Sequence, residues 1–503
     1  MKRRVALVAL LALLCPRWAE AHIGSPDVFY DGLAGLYPVH VTIRMPGVVP
    51  GRAQIIVQVR SDEAVAVAFA PISSQTAVSN TPPAEEAQIV PGATNLFSGE
   101  LWLMVDGAYS IDVRVRGKSG EGSVQIPVNS VAIRQLPLPS WLGEVLLALG
   151  LVLFCGGIAI IAAAAGESVL PPDVSPGKAE RRKSWTAAVT TTIIFVVLLA
   201  GGKKWWDSEE VDFRSRLREG GWPDLTADVR VNGSQRILRL TLGEAAFARR
   251  NKPLAFAPDH GKLLHLFLVR QPNHDAFAHI HPVRAGNKIF DVALPPLPEG
   301  DYEVLCDLTL ADSGLSSTAA NSVHIPAALE KSTSAKPMKI DPDDSWAINP
   351  SVAAQDTAGS DTVCHLPGGK QLIWKAHPPL RANQDPGLRF EVRDEAGQPA
   401  ALEPYMGMMS HAAVLRSDGR VFSHLHPSGN YSMAAQIFFD TKIENETAAA
   451  KSNGHGPEAI CGPNGSSTIT LPYEFPTPGN YRLWVQIKTG GQIMTGIFDT
   501  TVL

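Results

Sequence analysis

Apolar residues fall along this chain in two kinds of run. Trp141 to Ala165 is nearly all apolar apart from Glu144, and Trp185 to Gly202 is shorter but uncharged. Runs of that length predict two transmembrane helices. Elsewhere apolar positions come in short β-rich runs, such as Val39 to Ile43 and Gln54 to Val59, punctuated by Pro and Gly. That pattern predicts strands packed as sandwiches. Three segments repeat a Gly-x-Tyr turn before a penultimate strand: Gly107-Ala108-Tyr109, Gly300-Asp301-Tyr302 and Gly479-Asn480-Tyr481. A tyrosine at such a corner is a habit of immunoglobulin-like sandwiches. The expected fold is mainly β: three immunoglobulin-like β-sandwich domains plus two transmembrane helices.

The start of the chain sets the expected topology. Met-Lys-Arg-Arg, the apolar run Val5 to Leu14 and Ala19-Glu20-Ala21 read as a signal peptide over residues 1–21, leaving His22 as the mature N-terminus. A first sandwich over 22–138 then precedes a first span at 139–165 and a cytoplasmic loop at 166–184. Lys178, Arg181, Arg182 and Lys183 in that loop agree with the positive-inside rule. A second span at 185–202 leads to an interfacial segment at 203–223, with Glu209 to Arg218 as a short separate helix. The second sandwich is expected over 224–327 and a linker, poor in large apolar side chains, over 328–362. The third sandwich fills 363–503, with a polar insert from roughly Lys442 to Ser467 as a surface loop. The soluble domains are then expected on the outer side of the membrane.

A net charge of −5 with 18% charged residues offers no basic field for nucleic acid. Of five cysteines, Cys15 falls in the signal and Cys155 in a span. Cys364 and Cys461 form one possible disulfide with Cys306 as a buried thiol; the alternative is three isolated small apolar residues. The sequence has no Gly-x-Ser-x-Gly, phosphate loop, His-Glu-x-x-His or dinucleotide fingerprint. An enzyme is therefore not expected.

The candidate chemistry lies in a hairpin that occurs twice. In His411 to Pro427, Asp418-Gly419 between two β-rich runs predicts a type I′ turn. With Ser417 facing Arg420, His411 falls opposite His426, and His424 lies on the same face. In His265 to Pro282, a three-residue loop at Pro272-Asn273-His274 places His265 opposite His281, with His279 beside it and His274 solvated in the turn. Three converging imidazoles suit copper or zinc. Met408 and Met409 precede His411 and are candidate thioether ligands, which favour cuprous copper. The upstream copy offers Asp259 and His260 at the corresponding place, a harder site. His22 is a further candidate, since an N-terminal histidine chelates copper through amine and ring. A full brace needs a second histidine, and this domain has only His40.

His-Leu-Phe-Leu-Val with Phe-Ala-His-Ile-His-Pro, and Tyr-Met-Gly-Met-Met-Ser-His with Val-Phe-Ser-His-Leu-His-Pro, resemble a group of uncharacterised bacterial secreted or membrane-anchored proteins. These carry a His…His-x-His-Pro sandwich module linked with heavy-metal binding. The opening His-Ile-Gly-Ser-Pro-Asp-Val-Phe-Tyr-Asp-Gly and the two-span middle also look like this group. The N-terminal histidine is similar to that of sandwich-type periplasmic copper chaperones, whose second ligand cluster has no counterpart here. The expectation is a membrane-anchored envelope protein that binds copper, with zinc as the alternative, for storage, delivery or sensing. Its expected partners are the metal ion, the bilayer and an envelope protein. The rivals are a structural or assembly subunit whose histidines are packing groups and, third, a copper enzyme built on His22.

Overall fold

The computed structural model describes residues 27–62, 64–168, 170–171, 174–219, 224–232, 235–243, 255–327, 338–348, 353–447 and 466–503. The predicted signal peptide, His22 and Cys461 lie outside them. Among these residues the protein is mainly β, built of largely antiparallel sheets, with two helices apolar enough to span a membrane. It divides into a helical unit, residues 133–219, and a β unit of 1–132 with 220–503.

The helical unit is an antiparallel pair, Ser140–Glu167 and Lys178–Glu219. Phe154 meets Phe195 with ring centroids 5.7 Å apart, and Gly166 lies against Ser184 so closely that a Cβ would collide with its hydroxyl. The second helix runs through Glu209 to Arg218 without a break, so the expected separate interfacial helix is its continuation. No proline or glycine after Gly202 interrupts it.

The β unit contains three two-sheet modules. In the first, the sheet bearing Val28–Ala34, Tyr37–Arg44, Gly51–Val59 and Leu96–Leu103 shares a core with the sheet bearing Ala64–Ser73, Gly107–Gly117 and Gly120–Ser130. The second and third modules follow the same plan. The repeated Gly-x-Tyr turns behave alike in all three. Gly107, Gly300 and Gly479 have φ of 140°, 151° and 148°. The Tyr302 and Tyr481 hydroxyls donate to the carbonyls of Pro298 and Thr477, and the Tyr109 hydroxyl accepts from Val105 N–H. Each bond reaches back four residues. At Gly300 and Gly479 a Cβ would press on the Arg270 and Arg416 side chains at 2.7 and 3.1 Å.

Two expectations about connections are corrected. The proposed linker 328–362 contains strand Ser345–Ile348, which pairs with Ala276–Ile280 and extends the second module's sheet. The proposed polar insert begins inside a helix, Met433–Thr447, which buries Met433, Ala434, Ala435 and Phe439.

The strands Leu264–Arg270 and Ser410–Arg416 are buried on both faces almost to their ends. Leu266 and Leu268 enter the second module's core, while Phe267 and Val269 face a separate cluster with Ala413, Leu415, Phe422 and Trp484 of the third. Ala412 and Val414 enter the third module's own core. The two histidine-bearing sheets therefore pack face to face. Phe277 stacks on Trp484 at 4.7 Å and 9°. This explains the near-continuous apolar runs: a strand covered on both sides has no polar face to alternate with.

Candidate metal centre

Side chains two apart on a strand share a face. His265 and His411 therefore project on the side of Phe267 and Ala413, into the gap between modules. Ladder pairs Leu266–Ile280 and Phe267–His279 in one hairpin, and Ala412–Leu425 and Ala413–His424 in the other, have the expected registers. All six histidines reach the same gap. Instead of one site per domain, the hairpins form a single cluster, with ring centroids of His265 and His424 5.3 Å apart and of His279 and His424 5.4 Å apart.

The turn expected at Asp418-Gly419 is of another kind. Gly419 has φ 72° and donates to the Arg416 carbonyl, whereas Asp418 is not in the left-handed region. Turns with two left-handed residues occur just upstream of each hairpin, at His260-Gly261 (φ 50° and 79°) and Met406-Gly407 (φ 51° and 77°). Each closes with reciprocal backbone bonds, Asp259 with Lys262 and Tyr405 with Met408. Each also aims a carbonyl at the first histidine: His265 Nε2 lies 3.1 Å from Asp259 O and His411 Nε2 3.0 Å from Tyr405 O.

A carbonyl only accepts, so both Nε2 atoms carry hydrogen, and in a neutral ring Nδ1 is then a lone pair. Those lone pairs face the second histidine of the same hairpin. His265 Nδ1 is 3.1 Å from His279 Nε2, and His411 Nδ1 is 3.3 Å from His424 Nε2. The far nitrogens of the second histidines are held from the opposite module. His279 Nδ1 donates to Gln486 Oε1 at 2.8 Å, and His424 Nδ1 donates to Asp307 Oδ2 at 3.2 Å. Gln486 sits opposite His411 in its ladder and Asp307 opposite His265. The two modules thus exchange partners about an approximate two-fold relation.

Neutral rings with these partners leave two lone pairs facing each other in each pair. With Asp307 ionised and Gln486 Oε1 accepting, one extra proton or one cation between them relieves this. Burial, foremost, and the neighbouring imidazoles push the His279, His411 and His424 rings well below their usual range, which disfavours the proton. Nitrogens bound to one ion at 2.0–2.1 Å stand about 2.9 Å apart in square-planar and about 3.3 Å in tetrahedral geometry. The observed spacings fit that range.

Further nitrogens surround the pairs. His281 Nδ1 lies 2.9 Å from Asp344 Oδ1, leaving a buried Nε2 without a partner among the described residues. Both ring nitrogens of buried His426 are likewise unpartnered. His260 crosses to the third module, its centroid 4.7 Å from His426 and 5.3 Å from His411. Ligand atoms of His265, His279 and His424 lie within 4.8 Å of one another, as do those of His411, His424 and His426. Burial raises Asp307 and Asp344 to about 7.

The structure places the remaining candidates elsewhere. Met409 packs in the third module's core and Met408 joins the apolar cluster of the first module with Tyr30 and Tyr431. His274 is 7% exposed rather than solvated, and burial lowers it. His40 pairs with Asp31 and Asp385 at 3.5 and 3.4 Å. Cys306 is buried, and the Cys364 thiol accepts from Ile497 N–H. Sequence reasoning missed Asp307, Gln486 and Asp344. Strand pairing brings the first two opposite a histidine, and the third lies in the segment read as linker.

A family model described as a domain of unknown function (DUF8832) matches residues 367–503, which contain the whole downstream hairpin. No curated protein matches the chain. Similar solved structures include the ICAM-5 D1-D4 ectodomain fragment, at 7% identity over 91% of this chain and 74% of that one, with a TM-score of 0.14. Another is a membrane-anchored protein from Corynebacterium diphtheriae, at 9% identity over 95% of each chain and 0.13. A third is SGBP-B from a xyloglucan utilization locus of Bacteroides uniformis, at 8% identity over 94% and 99% and 0.15. Scores this low leave the fold description to the sheet topology itself.

Proposed function

We propose that this is a bacterial envelope metal-binding protein, anchored in the cytoplasmic membrane by its two helices and carrying three immunoglobulin-like modules on the periplasmic side. Its ligand is copper, with zinc as the alternative, and its role is storage, delivery or sensing. The observation that carries this reading is the facing of imidazole lone pairs at 3.1 and 3.3 Å, one pair per hairpin, inside a buried gap. Each pair marks one ion position. His265 and His279, with His424 or His281, would hold one ion; His411, His424 and His426, with His260, would hold the other. With Met408 and Met409 in apolar clusters, the donor set is imidazole and carboxylate, which suits cupric copper or zinc better than cuprous copper.

Metal analysis of the full chain, purified in detergent and reconstituted with Cu²⁺ or Zn²⁺, tests the reading. About two ions per chain are expected. Less than about a tenth of an ion per chain refutes it.

The apolar contact around Phe277 and Trp484 favours one second reading: a rigid structural joint in an envelope assembly, with histidines as packing groups. Copurification of a stable partner without metal would select it.

A further inference from the structure

A buried cluster needs a route by which an ion reaches it. His265, His279, His281, His411 and His426 are each at most 4% exposed. His281 also borders a surface cavity of about 240 Å³, lined by Met338, Ile340, Asp341 and Asp344 among others. Its ring centroid is 4.8 Å from that of His279 and 5.2 Å from that of His265. One side chain therefore touches both the cavity and the first imidazole pair.

We propose that this cavity is the loading port of the cluster. In it His281, Asp341 and Asp344 take a hydrated divalent cation, Zn²⁺ or Cu²⁺, before it passes to His265 and His279. The proposal rests on the metal-binding reading above. Ligand atoms of the three residues lie within 4.8 Å of one another. Asp344 Oδ1 accepts from both the backbone N–H and Nδ1 of His281, each at 2.9 Å. The neutral ring carries hydrogen on Nδ1, and an ion taken between Nδ1 and Asp344 Oδ1 displaces that hydrogen to Nε2, which is unpartnered among the described residues. Carboxylate with imidazole suits a divalent ion of intermediate hardness, one still carrying water.

Asp341 already holds a cation. Lys262 Nζ lies 2.7 Å from Asp341 Oδ1 and 2.9 Å from Asp343 Oδ2. An ammonium on a flexible stem between two carboxylates releases one while keeping the other, so an incoming ion can claim Asp341 without stranding the lysine. Lys339 also lines the cavity. Two ammoniums against Asp341, Asp343 and Asp344 leave a small negative excess, enough to attract a cation without trapping it. The segment is tied to the other module as well: the Tyr405 hydroxyl donates to Asp343 O, 2.8 Å away, and Tyr405 O accepts from His411. Tyr405 thus links the segment that carries Asp341 and Asp344 to the second imidazole pair.

The test follows Zn²⁺ uptake by the full chain in detergent, using a colorimetric chelator that reads rate and final stoichiometry separately. Asp341→Asn removes a port carboxylate that bonds to no histidine, and Met338→Trp fills the cavity from its wall. Both variants are expected to load about tenfold more slowly and to reach wild-type stoichiometry. Wild-type rates in both overturn the port and leave the metal centre standing. A lower final stoichiometry in Asp341→Asn makes Asp341 a resident ligand and also overturns it. A wild-type chain that takes up no zinc overturns the port and the metal-binding reading together.

Discussion

His424 of the third module donates its Nδ1–H to Asp307 of the second, 3.2 Å away across the boundary between them. The carboxylate orients a ring that its own module does not support, and Thr318 holds the carboxylate in turn. Outer partners of this kind set tautomer and basicity of a ligating imidazole, and their loss typically costs 10–100-fold in affinity. Asp307→Asn should therefore weaken zinc binding by about that factor in a chelator competition, with the circular dichroism spectrum unchanged. Wild-type affinity would show that Asp307 does not tune the site.

Because the candidate ligand sets draw on both modules, bound ions should hold the modules together. A ligand at a hundred times its Kd stabilises the folded state by about 2.7 kcal/mol. Calorimetry of the full chain should show the β unit melting a few degrees higher with zinc than with a chelator. His279→Ala combined with His424→Ala should abolish that difference. A metal-induced shift that survives the double substitution would place the stabilising ion elsewhere.

Phe277 and Trp484 carry the apolar part of the same contact, stacked at 4.7 Å with Trp484 fully buried. Trp484→Ala opens a cavity there and should cost about 3–5 kcal/mol, read as a lower denaturant midpoint. Since Phe267 of the same cluster stacks on His279 at 4.3 Å, zinc affinity should fall as well. A loss of stability without any loss of affinity would separate the apolar contact from the metal centre.

The histidine face was legible in the sequence because strand periodicity is strict. Once Ser417 faces Arg420, the positions of His411, His424 and His426 follow, even though the turn itself is of another type. The Gly-x-Tyr repeats were legible for a similar reason, since Gly107, Gly300 and Gly479 mark backbone that a side chain resists. The meeting of the two hairpins was not. It depends on Phe267, Ala413, Phe422 and Trp484 packing between modules, and nothing in a one-dimensional pattern says which module covers a doubly buried strand. Its trace was the unbroken apolar run Leu266 to Val269. Asp307, between Cys306 and Leu308, reads as a surface residue until the opposite module is in place. The methionines misled because Met408 and Met409 sit next to His411 in sequence but pack into different apolar clusters.

Away from the cluster, His377 and Asp356 form a pair 3.0 Å apart, with side chains 4% and 6% exposed. Burial alone pushes His377 down, but its bonds to Asp356 and the Pro378 carbonyl outweigh burial and leave it raised. Burial likewise pushes Asp356 up, and the bonds from His377, Thr500 and Thr362 outweigh it, leaving it lowered. A raised histidine contributes stability that is full below its unfolded value of 6.5 and is lost as pH rises through its folded value. A lowered aspartate contributes stability that is full above 3.8 and is lost as pH falls through its folded value. The pair therefore contributes most between those two values. Asp356 also ties the segment after Ala354–Gln355 to Thr362 and Thr500, so Asp356→Asn should cost about 3–5 kcal/mol at pH 5.5. The penalty should shrink as pH rises through the folded value of His377, where the ring loses its proton. Denaturation midpoints of wild type and variant at pH 5.5 and pH 8 decide the matter, and a penalty equal at both would show that the charge on His377 contributes nothing to the fold.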